Sequence, residues 1–176
     1  MRKNQMSNLD VLLIRGAPGI GKTTVGEMLR TLLVDGVVID VDDVRRMVNK
    51  DKFVYGENVD YINAVRASCS LAESFIALGY RPIVIVDVFS ISVLEVACNC
   101  LKGTSIISIS LHCNESVLVG RMLNRKNGYV NTDVAKKVNE HILATLESTN
   151  VSIDTTVLSP GELVERIMNS LSTRRD

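Results

Sequence analysis

The sequence predicts an α/β fold in which helices cover both faces of a parallel sheet. Three features predict it. Five short apolar runs have strand length: Asp10–Ile14, Val37–Ile39, Ile83–Val88, Ser105–Leu111 and Val151–Ile153. Segments with apolar residues at helical spacing separate them. The first run also passes through a glycine-rich turn straight into such a segment. Alternating strands and helices imply right-handed crossovers, hence parallel strands buried on two sides.

The elements follow in order. Thr24 to Leu33 places Val25, Met28, Leu29, Leu32 and Leu33 on one helical face. Glu57 to Leu78 is a long helix with Val59, Ile62, Val65, Cys69, Ala72 and Ile76 at the same period; Gly79 fits its C-terminal stop and Pro82 lies just beyond. Ser90 to Leu101 is shorter and ends near Gly103. Asn114 caps a helix over Glu115 to Lys126, and Asp133 to Leu146 carries Val134, Val138, Ile142 and Leu146. The last helix opens on Ser159-Pro160-Gly161-Glu162: serine as N-cap, proline in the first turn, glutamate closing a capping box.

The 176 residues read as a single domain spanning 1–176, with 1–9 expected to be a flexible N-terminus. Twenty basic side chains balance twenty acidic ones, which gives no support for a broad nucleic-acid or membrane surface. Cys69, Cys98, Cys100 and Cys113 lack metal-type spacing and read as buried free thiols. Met1 to Asp10 is polar, the apolar run after it is short, and no stretch suffices to span a bilayer. A cytoplasmic protein, monomer or homodimer, is the expectation.

Gly16-Ala17-Pro18-Gly19-Ile20-Gly21-Lys22-Thr23 is a complete G-x-x-x-x-G-K-[ST] phosphate-binding loop, followed by Thr24, in the strand–turn–helix setting the motif requires. Glycines let main-chain N–H groups curl around an anion, and the first helical turn adds unpaired donors and the positive end of its dipole. Lys22 is expected to neutralise the β- and γ-phosphates, and the Thr23 hydroxyl to hold Mg²⁺.

Ligands of such sheets gather at the carboxyl ends of the strands. The second strand ends in Ile39-Asp40-Val41-Asp42-Asp43-Val44-Arg45-Arg46. Phosphoryl transfer to a hydroxyl needs a carboxylate that orients the acceptor and takes its proton, and it profits from an arginine. Asp42 and Arg45 are the candidates, while Asp43 and Arg46 read as a solvated helix start. Asp40 is either an outer ligand of Mg²⁺ or a strand-end cap. Asp87 closes an apolar strand in the Walker-B manner and serves either Mg²⁺ or the acceptor. The metal set is thus Thr23, Asp42 and Asp87. Arg121 and Arg125 stand four apart on one helix and read as a lid over the triphosphate, within a lid region of about 121–133. His112 and His141 lack ligand-spaced partners and read as packing or surface residues.

The combination resembles the small P-loop kinases, such as adenylylsulfate kinases, gluconate kinases, chloramphenicol phosphotransferases and zeta-type toxins. The residues that carry the resemblance are GAPGIGKTT (Gly16–Thr24), IDVDDVR (Ile39–Arg45), RMLNR (Arg121–Arg125) and IDTTVLSPGELVERI (Ile153–Ile167). The resemblance implies a three-layer fold with strand order 2-3-1-4-5, ATP and Mg²⁺, Asp42 as the acceptor-side carboxylate and Arg45 as an acceptor contact. It also implies a final strand and loop that pack on adenine, with Asp154 and Thr155 at the strand end. Asp87-Val88-Phe89-Ser90 lacks the Gly, Pro and Arg of the adenylate-kinase D-G-F-P-R, which speaks against a nucleoside-monophosphate acceptor.

The expected function is an ATP-dependent kinase acting on a hydroxyl of a small molecule. The alternatives are an ATP-binding regulatory module without acceptor chemistry and a kinase for a nucleic-acid end or nucleotide-type acceptor, with nucleic acid not expected. A GTPase-type switch is disfavoured. No Asp lies three residues before a Gly, and Asn49-Lys50-Asp51-Lys52 misses the guanine motif by one position.

Overall fold

A computed structural model describes residues 9–48, 58–124 and 130–172. Five strands form one parallel sheet in the order β2-β3-β1-β4-β5. They are β1 Val11–Gly16, β2 Val37–Asp40, β3 Ile83–Asp87, β4 Ile106–His112 and β5 Val151–Asp154. All five expected strands are present, and the order is the one the resemblance implied.

β1 and β3 are buried along their whole length, as continuous apolar runs require. Alternate residues feed two cores. Leu12, Ile14, Val84 and Val86 pack with Val25 and Leu29 of α1 (Lys22–Leu32), with Leu118 and Met122 of α5 (Glu115–Leu123), and with α7 (Pro160–Ser172). Val11, Leu13, Ile83 and Ile85 pack with Val44 of α2 (Val41–Val48), Val65 and Cys69 of α3 (Val59–Ala77), and Val93 and Ala97 of α4 (Ile91–Cys100). α6 (Thr132–Leu143) lies beside α5 and β4. Cys69 and Cys113 are buried free thiols as expected, but Cys98 and Cys100 are only partly buried.

Some boundaries differ from the sequence expectation, each for a local reason. α3 begins at Val59 because the Asn58 side chain accepts from Tyr61 N at 2.9 Å. α6 stops at Leu143, short of Leu146. Beyond it the Thr145 carbonyl and hydroxyl both accept from Arg15 Nη2, at 2.7 and 3.1 Å, and a short 3₁₀ turn follows at Leu146–Ser148. α2 is the helix start read at Asp43 and Arg46, to which the pattern gave no bounds. The chain passes from β2 into it at once, with Asp40 Oδ1 accepting from Asp42 N at 3.0 Å. The strand-end cap foreseen for Asp40 is therefore present. The Ser159–Glu162 box also forms: Ser159 N and Oγ donate to Glu162 Oε2, and Glu162 N donates back to Ser159 Oγ.

Candidate active site

The phosphate loop joins β1 to α1. Gly19 (φ 84°) and Gly21 (φ 110°) adopt left-handed backbone that a side chain would strain. At Gly19 a Cβ would also lie 2.5 Å from Met122 Sδ, so α5 presses directly on the loop. α3 to α7 each have an N-cap side chain, from Asn58, Ser90, Asn114, Asn131 and Ser159, that accepts a first-turn N–H. α1 differs. Its cap is Gly21, no side chain bonds there, and its first turn has no acidic residue. The helix dipole therefore opens onto the loop without a side-chain anion. Lys22 Nζ curls into the same loop and donates to the carbonyls of Gly16 at 2.7 Å and Ala17 at 3.1 Å.

A cleft of about 1000 Å³ lies over the carboxyl ends of the strands. The loop and the start of α1 line it with Pro18, Gly19, Gly21, Lys22, Thr23 and Thr24, and the ends of β2 and β3 with α2 line it with Asp40, Asp42, Arg45 and Asp87. The fold thus gathers Lys22, Thr23, Asp42, Arg45 and Asp87 around one space. α6 closes a further side with Val134, Val138, His141 and Ile142. His141, expected to be a packing or surface residue, lines this cleft. Among the described residues no three His, Cys, Asp or Glu side chains converge as a metal cage. Asp43 and Arg46 also line the cleft but pair with each other at 2.6 Å as exposed neighbours on α2.

Electrostatics separate the carboxylates. Burial raises the pKa of Asp40, aided by Asp42 and Asp43 and opposed by the Asp42 N–H and Lys22. Burial pushes Asp87 up to about 6; the Tyr61 hydroxyl and Val88 N–H oppose this, Asp42 adds to it and Lys22 opposes it. Tyr61 is a participant that the sequence did not reveal. It is not among the apolar positions that mark its helix, and only the fold sets it beside Asp87. Its own pKa is raised, first by burial and then by Asp87. Arg45, only 8% exposed, lies over the Tyr61 ring at 5.4 Å. The Tyr61 hydroxyl faces the Asp87 carboxylate, and Tyr61 Oη and Asp87 Oδ2 are both buried from solvent. Two residues on, Phe89 is fully buried with φ 41°, a strained conformation for an aromatic residue.

A second cavity of about 290 Å³ lies beside the loop, lined by Ile20, Thr24, Arg121, Thr155, Leu158 and Pro160, among others. Arg121 Nη1 donates to Thr155 Oγ1 at 2.9 Å and Nη2 to the Thr155 carbonyl at 2.7 Å. The structure thus brings Arg121 and Thr155 together at the end of β5, and Arg121 lines this smaller cavity. Arg125, the other expected lid arginine, lies outside the described residues.

No protein-family model and no curated protein matches the sequence. Solved structures do share its architecture. A sugar kinase from Janibacter sp. HTCC2649 superposes with a TM-score of 0.70 at 18% identity, over 94% of this chain and 96% of its own. A gluconokinase from Sinorhizobium meliloti 1021 gives 0.68 at 18% identity, over 95% and 93%. The chain has the P-loop kinase fold. Shikimate kinase from Acinetobacter baumannii, solved in complex with shikimate, gives 0.67 at 18% identity and covers 97% of each chain. Within this fold, the 1000 Å³ cleft is shared by the loop and the carboxylates, and the smaller cavity is shared by the loop and the chain around Arg121 and Thr155.

Proposed function

We propose that the chain is an ATP-dependent kinase that transfers the γ-phosphoryl group to a hydroxyl of a small molecule. One observation carries the reading. The one helix among α1 and α3–α7 without a side-chain N-cap opens, with Lys22, onto a cleft that Asp40, Asp42 and Asp87 also line. The uncapped end suits a triphosphate; the carboxylates suit an alcohol that must lose a proton.

In the reaction, the acceptor oxygen bonds to the γ-phosphorus as the bond from that phosphorus to the β–γ bridging oxygen breaks. Lys22 leaves its two loop carbonyls and pairs with the β- and γ-phosphate oxygens. Asp42 orients the acceptor hydroxyl and takes its proton. Arg45 contacts the acceptor. Arg121 and Thr155 flank the adenine in the smaller cavity. Arg121 or Arg125 balances the remaining charge on the transferring group.

Thr23, Asp42 and Asp87 are the residues that would hold Mg²⁺; these hard oxygen donors line one cleft and suit a cation that keeps few protein ligands and several substrate oxygens. Bound there, the ion would neutralise charge on the β- and γ-phosphates. Asp42 has two oxygens, enough for the metal and for the acceptor proton.

The small-molecule acceptor is favoured over a nucleic-acid end by the balanced charge, twenty basic against twenty acidic residues, which provides no broad basic surface. Among the described residues no helix is long and apolar enough to cross a membrane.

Calorimetry with MgATP tests the reading. The intact protein is expected to bind, and Lys22→Ala to weaken binding about 100-fold, on the order of 3 kcal/mol, because the phosphates lose a buried charge partner. Equal affinity in the two proteins would reject the loop's role. An acceptor panel scored by stimulated ADP release then separates a kinase from a regulatory module.

A further inference from the structure

Three of the four cysteines lie together where α3 packs on α4, and none of them lines the cleft. Cys69 of α3 and Cys98 and Cys100 of α4 belong to the core beneath these helices, whereas Cys113 belongs to the other core. They do not form a metal cage. Cys69 Sγ donates to the Ala97 carbonyl at 3.9 Å, which seats the thiol against the last turns of α4. Cys100 stands three residues beyond Ala97 and shares its face. The Cys69 and Cys100 thiols are in hydrogen-bond contact. Ala72, one turn on from Cys69, and Ala97 are both fully buried. Side chains this small let two helices approach closely, and close backbones are what a disulfide requires.

The two thiols differ in access. Cys69 is buried and Cys100 only partly so. Burial pushes the Cys69 thiol up to about 12, and Cys100 beside it adds to the rise, ahead of Glu73 and Cys98. Cys69 therefore stays protonated and shielded from solutes. Cys100 is the sulfur that a small oxidant reaches. Cys98 is partly buried as well, but burial and Glu95 both hold its thiol in the protonated form. Two residues from Cys100, it also lies on a different helical face. Hydrogen peroxide is the fitting oxidant, being small, uncharged and independent of any binding pocket.

We propose that Cys69 and Cys100 are a peroxide-sensitive thiol pair whose oxidation staples α3 to α4 through a reversible disulfide. Cys100 Sγ attacks one peroxide oxygen. The O–O bond breaks, Cys100 becomes a sulfenic acid, and the thiol proton leaves with the other oxygen as water. Cys69 Sγ then attacks the Cys100 sulfur. The S–O bond breaks, the S–S bond forms, and the Cys69 proton leaves with the hydroxyl as a second water. The two sulfurs lose two electrons and the peroxide gains them. Contact offsets the weak acidity of Cys69, because the sulfenic sulfur forms beside it and the attack is intramolecular. A thiol reductant reverses the bridge by exchange. The stapled helices also frame the cleft at their other ends, through Tyr61 of α3 and Ile91 of α4. The inference is independent of the kinase reading.

The test treats the whole reduced protein with hydrogen peroxide and reads intact mass, then maps the peptides. The expected product has lost two hydrogen atoms and holds one bridge, between Cys69 and Cys100, while Cys98 and Cys113 still react with a thiol alkylator. Dithiothreitol is expected to restore all four thiols. The bridged form should melt about 5 °C or more above the reduced form, because the cross-link restrains the unfolded chain. A gain of oxygen without loss of hydrogen, or a bridge to Cys98 or Cys113, overturns the proposal. A bridge that fails to raise the melting point is one the native packing does not accept, and overturns it too. Two variants separate the roles. Cys69→Ala removes the resolving thiol, so peroxide is expected to carry Cys100 on to a sulfinic acid, a gain of two oxygen atoms. Cys98→Ala is expected to form the bridge as the native protein does, and loss of the bridge there would assign the chemistry to Cys98 instead. Should Cys69→Ala fail to fold, the peptide map of the native protein already decides.

Discussion

Two aspartates at opposite edges of the sheet carry the same side chain to opposite ends. Asp10, just before β1, is fully partnered. It accepts from Arg81 Nε at 2.5 Å, from Ser105 N at 2.9 Å and from Ser105 Oγ at 3.2 Å. Asp87, at the far end of β3, is more deeply buried and has only the hydrogen bonds of the Tyr61 hydroxyl and the Val88 N–H to oppose that burial. Burial alone would raise both pKa values. At Asp10 the bonds from Ser105 and Arg81 outweigh it and the pKa falls; at Asp87 burial wins and the pKa rises to about 6. The amino edge spends its carboxylate on tying strands together, whereas the carboxyl edge holds carboxylates in reserve for something that arrives from outside.

The contrast is tested hardest at Asp42. If the carboxyl edge exists for chemistry, Asp42→Asn should cut phosphoryl transfer about 10³-fold, within the range general-base catalysis supplies. Thermal stability should hardly change, since Asp42 stands partly exposed on α2. Acceptor-dependent ADP release beside a melting curve measures both. Full transfer in the variant would return Asp42 to the solvated helix start.

Asp87→Asn comes next and should stabilise. In magnesium-free buffer, the native state keeps a proton on Asp87 between its ordinary value of 3.8 and about 6, where the unfolded chain has lost it. Stability contributed by this group therefore falls as pH rises through that window and stays low above it. The difference is at most on the order of 3 kcal/mol. Asparagine removes the charge, so the variant should melt higher than the native protein at pH 8 and lose that slope between pH 4 and 6. A lower melting point at pH 8 would mean that Asp87 is structural after all.

The same contrast explains what could be read from the sequence. The phosphate loop acts through main-chain groups and glycines, so its chemistry is written in contiguous residues, Gly16 to Thr23. β1 and β3 were legible because both of their faces are buried, which forces unbroken apolar runs such as Ile83–Val86. The bounds of α2 were not, because eight residues carrying Asp42, Asp43, Arg45 and Arg46 follow β2 without a turn residue to mark the change. Tyr61 was hidden for a different reason. Its hydroxyl acquires meaning only beside Asp87, and nothing local brings α3 to the end of β3. Arg15 is the same case: an arginine inside a buried strand, held by Ser110 Oγ at 2.6 Å and by Thr145 beyond α6. Side-chain partnerships across elements have no sequence period.

The smallest effect is expected at the amino edge, and its sign is the reverse of that at Asp87. Asp10→Asn keeps an oxygen for Ser105 N but removes the charge that holds Arg81. Arg81 is 37% exposed, so water already screens the pair, and the loss should be about 1 kcal/mol. Because the folded pKa of Asp10 is depressed, its contribution is complete above the ordinary value of 3.8 and fades only as pH falls below it. Between pH 5 and 8 the native protein and Asp10→Asn should therefore differ by a constant amount, converging only in acid. Asp87→Asn and the native protein should instead diverge as pH rises from 4 to 6. Melting curves of the three proteins across that range decide the matter: parallel lines for one substitution and opening lines for the other are what an edge built for structure and an edge built for a ligand require.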